Sequence, residues 1–253
     1  MLIRKSIAGF SLVEMAIVLA IVGLLLSGLI PTISTQIESQ RTNETRKQLD
    51  EIQQALIGFA VANRRFPCPA TSASNGEESP VGGGSCTNFY NGYVPAATLG
   101  ITSVDSSTKL VVDAWNNPIR YAITNNTISG VANTFTSIDG MKNATMGNIT
   151  NANLLNICAS ATGITGSDCG AAANKLTDKA PVLIYSTGKN GGYGGSGLDE
   201  TANPNPNSAN NDRVFVSHTP TPSTAPNGEF DDLMIWLSIN TIFNRMVAAG
   251  QLP

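Results

Sequence analysis

The sequence has little that would support catalysis or nucleic-acid binding. It contains a single histidine, His218, and charged residues make up only 13% of its 253 residues. The net charge is −3, so the chain has no excess of basic side chains to attract a phosphate backbone. We therefore expect no nucleic-acid partner.

Three motifs of enzymes and metal proteins are also missing. No Cys-x-x-Cys pair accompanies His218, which argues against a zinc site. No G-x-S-x-G elbow is present, and Gly188-Lys189-Asn190 lacks the Ser or Thr that follows the lysine of a phosphate-binding loop. Asp231 and Asp232 are neighbours on a predicted strand and would point to opposite faces, so they cannot flank one glycosidic bond. We expect no enzyme.

The sequence does contain one long apolar run near its start. Residues 10–30 comprise 21 residues, of which 16 are apolar and one, Glu14, is charged. A helix of about 20 such residues crosses the hydrocarbon core of a bilayer. Arg4 and Lys5 precede the run and should hold the N-terminus in the cytoplasm. The rest of the chain would then face outward.

The small residue that marks a cleavage site stands before this run. An ordinary secretory signal is cut beyond its apolar core. Cleavage after Gly9 would remove both basic residues and leave the apolar helix on the mature chain. We therefore predict a short leader over residues 1–9 and a membrane helix that is retained.

Glu14 is costly in such a helix. A carboxylate near the centre of a spanning helix costs about 2.5 to 3.5 kcal/mol, so it is expected to have a function and a positive partner. The alternative is that Glu14 lies at the cytoplasmic interface and reaches water. That alternative leaves Gly9 and the retained helix unexplained.

The stretch from Gly9 through Phe10 to Glu14 resembles the leader junction of type IV prepilins and of the pseudopilins of type II secretion. The resemblance implies cleavage between Gly9 and Phe10, N-methylation of Phe10 by a prepilin peptidase, and pairing of Glu14 with the terminal amine of a neighbouring subunit. It implies other pilin or pseudopilin subunits and an inner-membrane assembly platform as partners. The chain would be a single-pass inner-membrane protein of a Gram-negative-type bacterium, in contact with lipid, before it enters a periplasmic or cell-surface filament.

Helical periodicity continues beyond the apolar run. Leu49, Ile52, Leu56 and Phe59 recur at helical spacing, and after Pro31, which should kink the helix, no proline occurs before Pro67. We therefore predict one helix to about residue 63. The expected division is a leader over 1–9, a transmembrane half over 10–30, an amphipathic half over 31–63 and an extracytoplasmic globular pilin-like domain over 64–253.

The globular part carries a second recognisable stretch. Residues 113–121 resemble the Asp-x-Trp-Gly-Asn-Pro-x-x-Tyr signature of major type II pseudopilins, with Asn116 in place of glycine. Asparagine tolerates positive φ better than other non-glycine residues. Strands are predicted at 109–113, 119–123, 181–185, 213–217 and 233–237, with a short helix near 152–157 and a terminal helix from 239. The fold class is α+β, and the resemblance implies the pilin fold, a long helix on an antiparallel sheet of about four strands.

The four cysteines lie beyond the membrane segment, where disulfides persist. Three pairings are possible on paper. We expect Cys68 with Cys86 and Cys158 with Cys169, because each pair closes a loop rich in Gly, Ser and Asn that has little else to hold it. Each would stabilise the fold by about 3 kcal/mol.

The glycine-dense loop that begins at Ser186 looks like the calcium loop of major pseudopilins, although Asn190 replaces an acidic residue and the loop is longer. Asp199, Asp212 and Asp231 are the candidate calcium ligands, since calcium takes hard oxygen ligands. The alternative is that these carboxylates are only solvated or act as caps. Two functions also stay open: a structural filament subunit, or a tip-located minor pilin that acts as an adhesive or substrate-binding module.

Overall fold

The computed structural model describes residues 9–143, 146–150, 152, 154–191, 195–203 and 213–252, and gives only the backbone at 25–33, 146 and 150. Of the predicted leader, all but Gly9 lies outside these residues. The chain forms two compact units, Met1–Asn43 and Glu44–Pro253. The helices are α1 Leu12–Asn63, α2 Ala96–Leu99, α3 Gly140–Asn143, α4 Met146–Thr150, α5 Leu198–Ala202 and α6 Ile239–Ala248. The strands are β1 Gly92–Tyr93, β2 Arg120–Ile123, β3 Leu155–Cys158, β4 Lys175–Ala180, β5 Val182–Ser186, β6 Val214–Val216 and β7 Leu233–Leu237.

Helix α1 has the extent that the sequence predicts. It continues through residue 31 and ends at Asn63. Arg64 follows with φ 54°, the left-handed conformation that closes many helices. Pro67 then prevents the helix from resuming. Judged on the described residues, none of the helices reaches the length and mean hydropathy of a membrane span. The predicted span includes residues 25–30, which are described by their backbone alone, and it stays a prediction.

The predicted apolar stripe of α1 packs in the core of the second unit. Leu49, Ile52 and Leu56 are buried against one face of an antiparallel sheet with strand order β1-β2-β5-β7. Residues on alternating positions of β2 and β5, such as Tyr121 and Ile184, supply that face. The prediction of a four-stranded antiparallel sheet beside a long helix is therefore confirmed.

A second sheet covers the other face. Its strand order is β4-β3-β6, with β3 parallel to β6 and antiparallel to β4. Leu155, Ile157 and Phe215 from this sheet pack with Leu183 and Tyr185 from β5. Both faces of β5 are therefore buried, which explains its continuous apolar sequence.

Two local predictions are wrong. The segment near 152–157 forms strand β3 instead of a helix, because a short apolar run has no periodicity that separates the two structures. Residues 109–113 form no strand and make only the isolated bridge from Val112 to Pro118. Lys109 has φ 59°, a turn conformation that extended strands do not contain.

Both expected disulfides are present, Cys68–Cys86 and Cys158–Cys169. The first closes a loop whose Glu78 forms a buried ion pair with Arg65, a residue that precedes the loop. Arg65 donates to both carboxylate oxygens of Glu78, each at 2.7 Å, and Glu78 also accepts the Cys68 N–H at 3.0 Å. The covalent link and the ion pair therefore hold the same segment to the end of α1.

Candidate functional site

The first turn of α1 is closed by Ser11 and Glu14. The Glu14 N–H donates to Ser11 Oγ at 3.2 Å, and the Ser11 N–H donates to Glu14 Oε2 at 2.8 Å. This reciprocal pair is a capping box. The charge of Glu14 alone does not indicate this role. The pattern Ser-x-x-Glu before an apolar run does, because it is typical of a helix start.

The apolar side chains that follow the cap are exposed. Phe10 is 84% exposed and Leu12 is 91% exposed. Every residue from 9 to 24 is exposed. A contiguous apolar surface of this extent marks a membrane or protein interface. A Cβ built at Gly9 would meet no atom within 4 Å, so packing within the described chain does not require glycine there.

The signature-like stretch after Leu110 forms a tight turn around Asp113. Asp113 Oδ1 accepts the N–H groups of Trp115 at 2.8 Å and Asn117 at 2.9 Å. Asn116 has φ 67°, which explains why asparagine can stand where the signature has glycine. Asp113 is only 3% exposed, and burial raises the pKa of its carboxyl group.

This turn holds the start of the glycine-dense loop. Ser186 Oγ donates to Asp113 Oδ2, and Asn117 Nδ2 donates to the Gly188 carbonyl at 2.6 Å. Gly188 has φ 62°, and a Cβ there would lie 2.1 Å from Asp231 Oδ1. Glycine is therefore required at this position for the loop to approach the Asp231 carboxylate.

Three carboxylates meet beside that loop. Glu200, Asp231 and Asp232 each offer an oxygen, and these oxygens lie within 4.8 Å of one another. Asp231 Oδ2 accepts the N–H groups of Lys189 at 2.9 Å and Asn190 at 3.3 Å, whereas the buried Oδ1 has no hydrogen-bond partner among the residues that the structure describes. This arrangement leaves one buried carboxylate oxygen available within a group of hard oxygen ligands.

Burial sets the charge state of this cluster. It raises the pKa of Asp231 to about 7, and the negative charge of Glu200 adds to the effect. Burial also raises the pKa of Asp232 well above its usual value, despite a hydrogen bond from Asn203 at 2.8 Å. The cluster therefore resists full ionisation in the absence of a cation.

The structure divides the candidate calcium ligands. Asp231 lies in the cluster with Glu200 and Asp232, and Asp212 lies outside the described residues. Asp199 is instead bound by the Ala161 N–H at 2.6 Å and by Asn227 Nδ2 at 3.1 Å. Its carboxylate joins the second disulfide loop to the segment after β6. The carboxylate of Glu200 can be recognised from the sequence as a possible calcium ligand. Its separation from Asp231 along the chain does not indicate that the two side chains lie close together.

His218 lies beside Asp199. Its Nε2 is 3.2 Å from Asp199 Oδ2, its Nδ1 is 2.7 Å from the Thr219 carbonyl, and its ring stacks on Phe230 with 4.0 Å between centroids. Both ring nitrogens therefore face acceptors within the chain. The histidine holds the loop after β6 in place, and within the described ranges its nitrogens face a carboxylate and a carbonyl oxygen.

The comparison with known families agrees with the N-terminal geometry. Residues 4–30 match the family model described as the prokaryotic N-terminal methylation motif. That motif is the hallmark of type IV pilins and pseudopilins, so the resemblance noted at the N-terminus is confirmed, and the match supports a pilin-like or pseudopilin subunit in broad terms. Neither the curated proteins nor the solved structures include a significant match to the chain.

We expect Asp113→Ala to lower the free energy of unfolding by about 3 kcal/mol, because it leaves buried donors without an acceptor. Urea unfolding of the full chain in detergent micelles, followed by Trp fluorescence, measures this change. Asp105→Ala is the matched control, since Asp105 accepts the same kind of turn bonds from Ser107 and Thr108 in an exposed turn. Equal effects of the two variants would contradict a special role for Asp113.

Proposed function

We propose that the chain is a structural subunit of a type IV pilus or of a type II secretion pseudopilus. The observation that carries the proposal is the methylation motif over residues 4–30, which leads into a continuous helix with exposed apolar side chains. A prepilin peptidase cleaves between Gly9 and Phe10 and methylates the new amine of Phe10. The space around Gly9 supports this step, because it points to recognition by an enzyme instead of packing as the reason for glycine.

Assembly then uses the same helix in a second environment. The mature subunit is anchored in the inner membrane by residues 10–30, and an assembly platform transfers it into the filament. Neighbouring subunits replace lipid around the exposed apolar side chains. Glu14 pairs with the amine of Phe10 on a neighbour, and before that step its hydrogen bond from the Ser11 N–H partly satisfies the carboxylate. The proposal assigns no catalytic role to the chain.

Processing is tested on protein recovered from native membranes. We expect mass spectrometry of the N-terminal peptide to show a start at N-methylated Phe10. Gly9→Val is the matched control, because a Cβ at this position meets no described atom within 4 Å and the bulkier side chain should leave the leader attached. A wild-type peptide that begins at Met1, or beyond residue 30, would remove the basis of the proposal.

Glu14 has two candidate roles that substitution can separate. Glu14→Gln keeps a side chain that can complete the capping box but removes the charge, whereas Glu14→Ala removes both. We expect both variants to stay in the membrane fraction and to enter sheared filaments at a small fraction of the wild-type level. Normal entry of the Gln variant together with poor entry of the Ala variant would show that the cap, and not the charge pair, is what assembly needs.

A specific observation also favours the second function, a tip-located minor pilin that binds a surface or a secreted substrate. Strands β3, β4 and β6 form a second sheet on the face of β5 that points away from α1, and this layer gives the subunit a surface beyond that of the helix and the four-stranded sheet. Copy number in purified filaments separates the two functions, since a shaft subunit is abundant and a tip subunit is present in single copies.

We further propose that calcium binds at the carboxylate cluster. Glu200, Asp231 and Asp232 would hold the ion, with Asp231 Oδ1 as the oxygen that receives no hydrogen bond from the described part of the chain. Bound calcium would supply positive charge where two buried carboxylates and the half-buried carboxylate of Asp231 lie close together. It would thereby fix the glycine-dense loop to the strand that follows Phe230.

The cluster makes thermal stability depend on pH. Because the folded-state pKa of Asp231 is raised to about 7, the stabilisation from its proton is present at low pH and is lost as the pH rises through 7. We expect the thermal midpoint of the full chain in chelator to fall between about pH 5 and pH 8, and Asp231→Asn to flatten that fall. Millimolar calcium should raise the midpoint at pH 8 and have little effect at pH 5.

The control for this experiment is Asp168→Asn, which removes a half-buried carboxylate that lies outside the cluster and pairs with Lys175, and it should keep both responses. A calcium-independent midpoint at pH 8 would eliminate the metal site. An unchanged pH dependence in Asp231→Asn would show that other groups cause the fall.

A further inference from the structure

A polar pocket of about 230 Å³ lies beside strands β1 and β2. Its polar lining consists of Thr71, Ser72, Asn88, Asn91, Tyr93 and Arg120. Arg120 is the only charged residue among the described residues of the lining, and it is 3% exposed. The pocket therefore combines a buried cation with neutral hydroxyl and amide groups.

Arg120 has few partners within the chain. Its Nη1 donates to Asn91 Oδ1 at 2.7 Å, and its guanidinium lies over the Tyr93 ring, 4.5 Å from the centroid. Among the described residues, no carboxylate forms an ion pair with it. These contacts fix the plane of the guanidinium but supply no negative charge.

Arg65 shows how this chain otherwise treats a buried guanidinium. Arg65 is 8% exposed and also lies over an aromatic ring, that of Phe59, at 5.1 Å. It differs from Arg120 in having the carboxylate of Glu78, which it meets with two hydrogen bonds of 2.7 Å. A buried charge without a counter-ion is costly. Because no described carboxylate pairs with Arg120, this guanidinium is the group in the pocket that favours an anionic ligand.

The walls of the pocket are held in fixed positions. Thr71 and Ser72 follow Cys68, and Asn88 and Asn91 follow Cys86, so the first disulfide fastens both walls. Ala70 and Tyr93 exchange two backbone hydrogen bonds, of 2.8 and 2.9 Å, across the floor. The site is therefore built from linked segments and does not depend on a single exposed loop.

The other polar groups of the lining favour hydroxyl-bearing ligands. The Asn88 amide is committed to its own turn through bonds to Tyr90 and Asn91. The hydroxyls of Thr71, Ser72 and Tyr93 make no hydrogen bond to the described residues and can donate or accept. One guanidinium balances a single negative charge, and its planar fork matches a carboxylate.

We propose that this pocket binds a monoanion that carries one carboxylate and several hydroxyl groups, the chemistry of an acidic sugar such as a uronate. The carboxylate pairs with Arg120, and the sugar hydroxyls exchange hydrogen bonds with Thr71, Ser72 and Tyr93. The proposal does not depend on which filament contains the subunit.

The test is calorimetric titration of the full chain in detergent micelles with sodium galacturonate. We expect saturable binding with a Kd of about millimolar, and binding of neutral galactose that is weaker by about tenfold or more. Sodium acetate, which offers the carboxylate alone, should also bind more weakly than galacturonate. No heat from galacturonate up to about 50 mM, or equal binding of galacturonate and galactose, would overturn the proposal.

Substitutions of lining residues test which groups of the pocket contact the ligand. Arg120→Gln should abolish the preference for galacturonate over galactose, and its fold is checked by circular dichroism. Because this core substitution can disturb folding, the double variant Thr71→Val with Ser72→Ala provides an independent test at the pocket rim. It should weaken galacturonate by several fold and leave acetate unchanged, whereas Ser107→Ala, in an exposed turn outside the lining, should change neither. Unchanged galacturonate binding in the double variant, or acetate binding equal to that of galacturonate, would overturn the acidic-sugar assignment.

Discussion

The globular unit depends on the contact between the apolar stripe of α1 and the four-stranded sheet. Leu49, Ile52 and Leu56 are fully or almost fully buried in that contact. Burial of three such side chains stabilises the unit by several kcal/mol, at about 1.5 to 3 kcal/mol each. The contact also positions the Asp113 turn, since Thr45 Oγ1 of α1 accepts the Ala114 N–H at 3.2 Å. From that turn the hydrogen bonds continue to Ser186, Gly188 and the carboxylate cluster.

Sequence periodicity predicted this contact well and predicted the second sheet poorly, for one physical reason. A stripe that repeats every three to four residues identifies a helix with one buried face, as in α1. Strand β5 is buried on both faces, so its residues are continuously apolar and show only that a strand is present. Nothing in that run indicates which element covers each face. The covering strands are short, and the segment that leads to β3 has the composition of a loop.

The candidate sites were predictable to different degrees. Gly9, Phe10 and Glu14 lie within six residues, and local spacing carries their signal. Cys68 and Cys86, and likewise Cys158 and Cys169, are close enough in sequence for local pairing to be the natural expectation. In the carboxylate cluster Glu200 lies beside Asp231, although a strand and a long loop separate them along the chain. The pocket at Arg120 is lined by one segment that follows Cys68 and another that follows Cys86. Only the folded chain brings such residues together.

Two of the buried charged groups of the globular unit show different solutions to the cost of burial, and a third shows neither. Arg65 is paired with Glu78, and the raised pKa values of Asp231 and Asp232 keep their cluster partly protonated unless a cation binds. Arg120 has neither solution, because a guanidinium does not lose its proton and no described carboxylate pairs with it. An aromatic ring and one amide oxygen orient the group without neutralising it. The guanidinium of Arg120 therefore stays available to an anion from outside the chain, unlike that of Arg65.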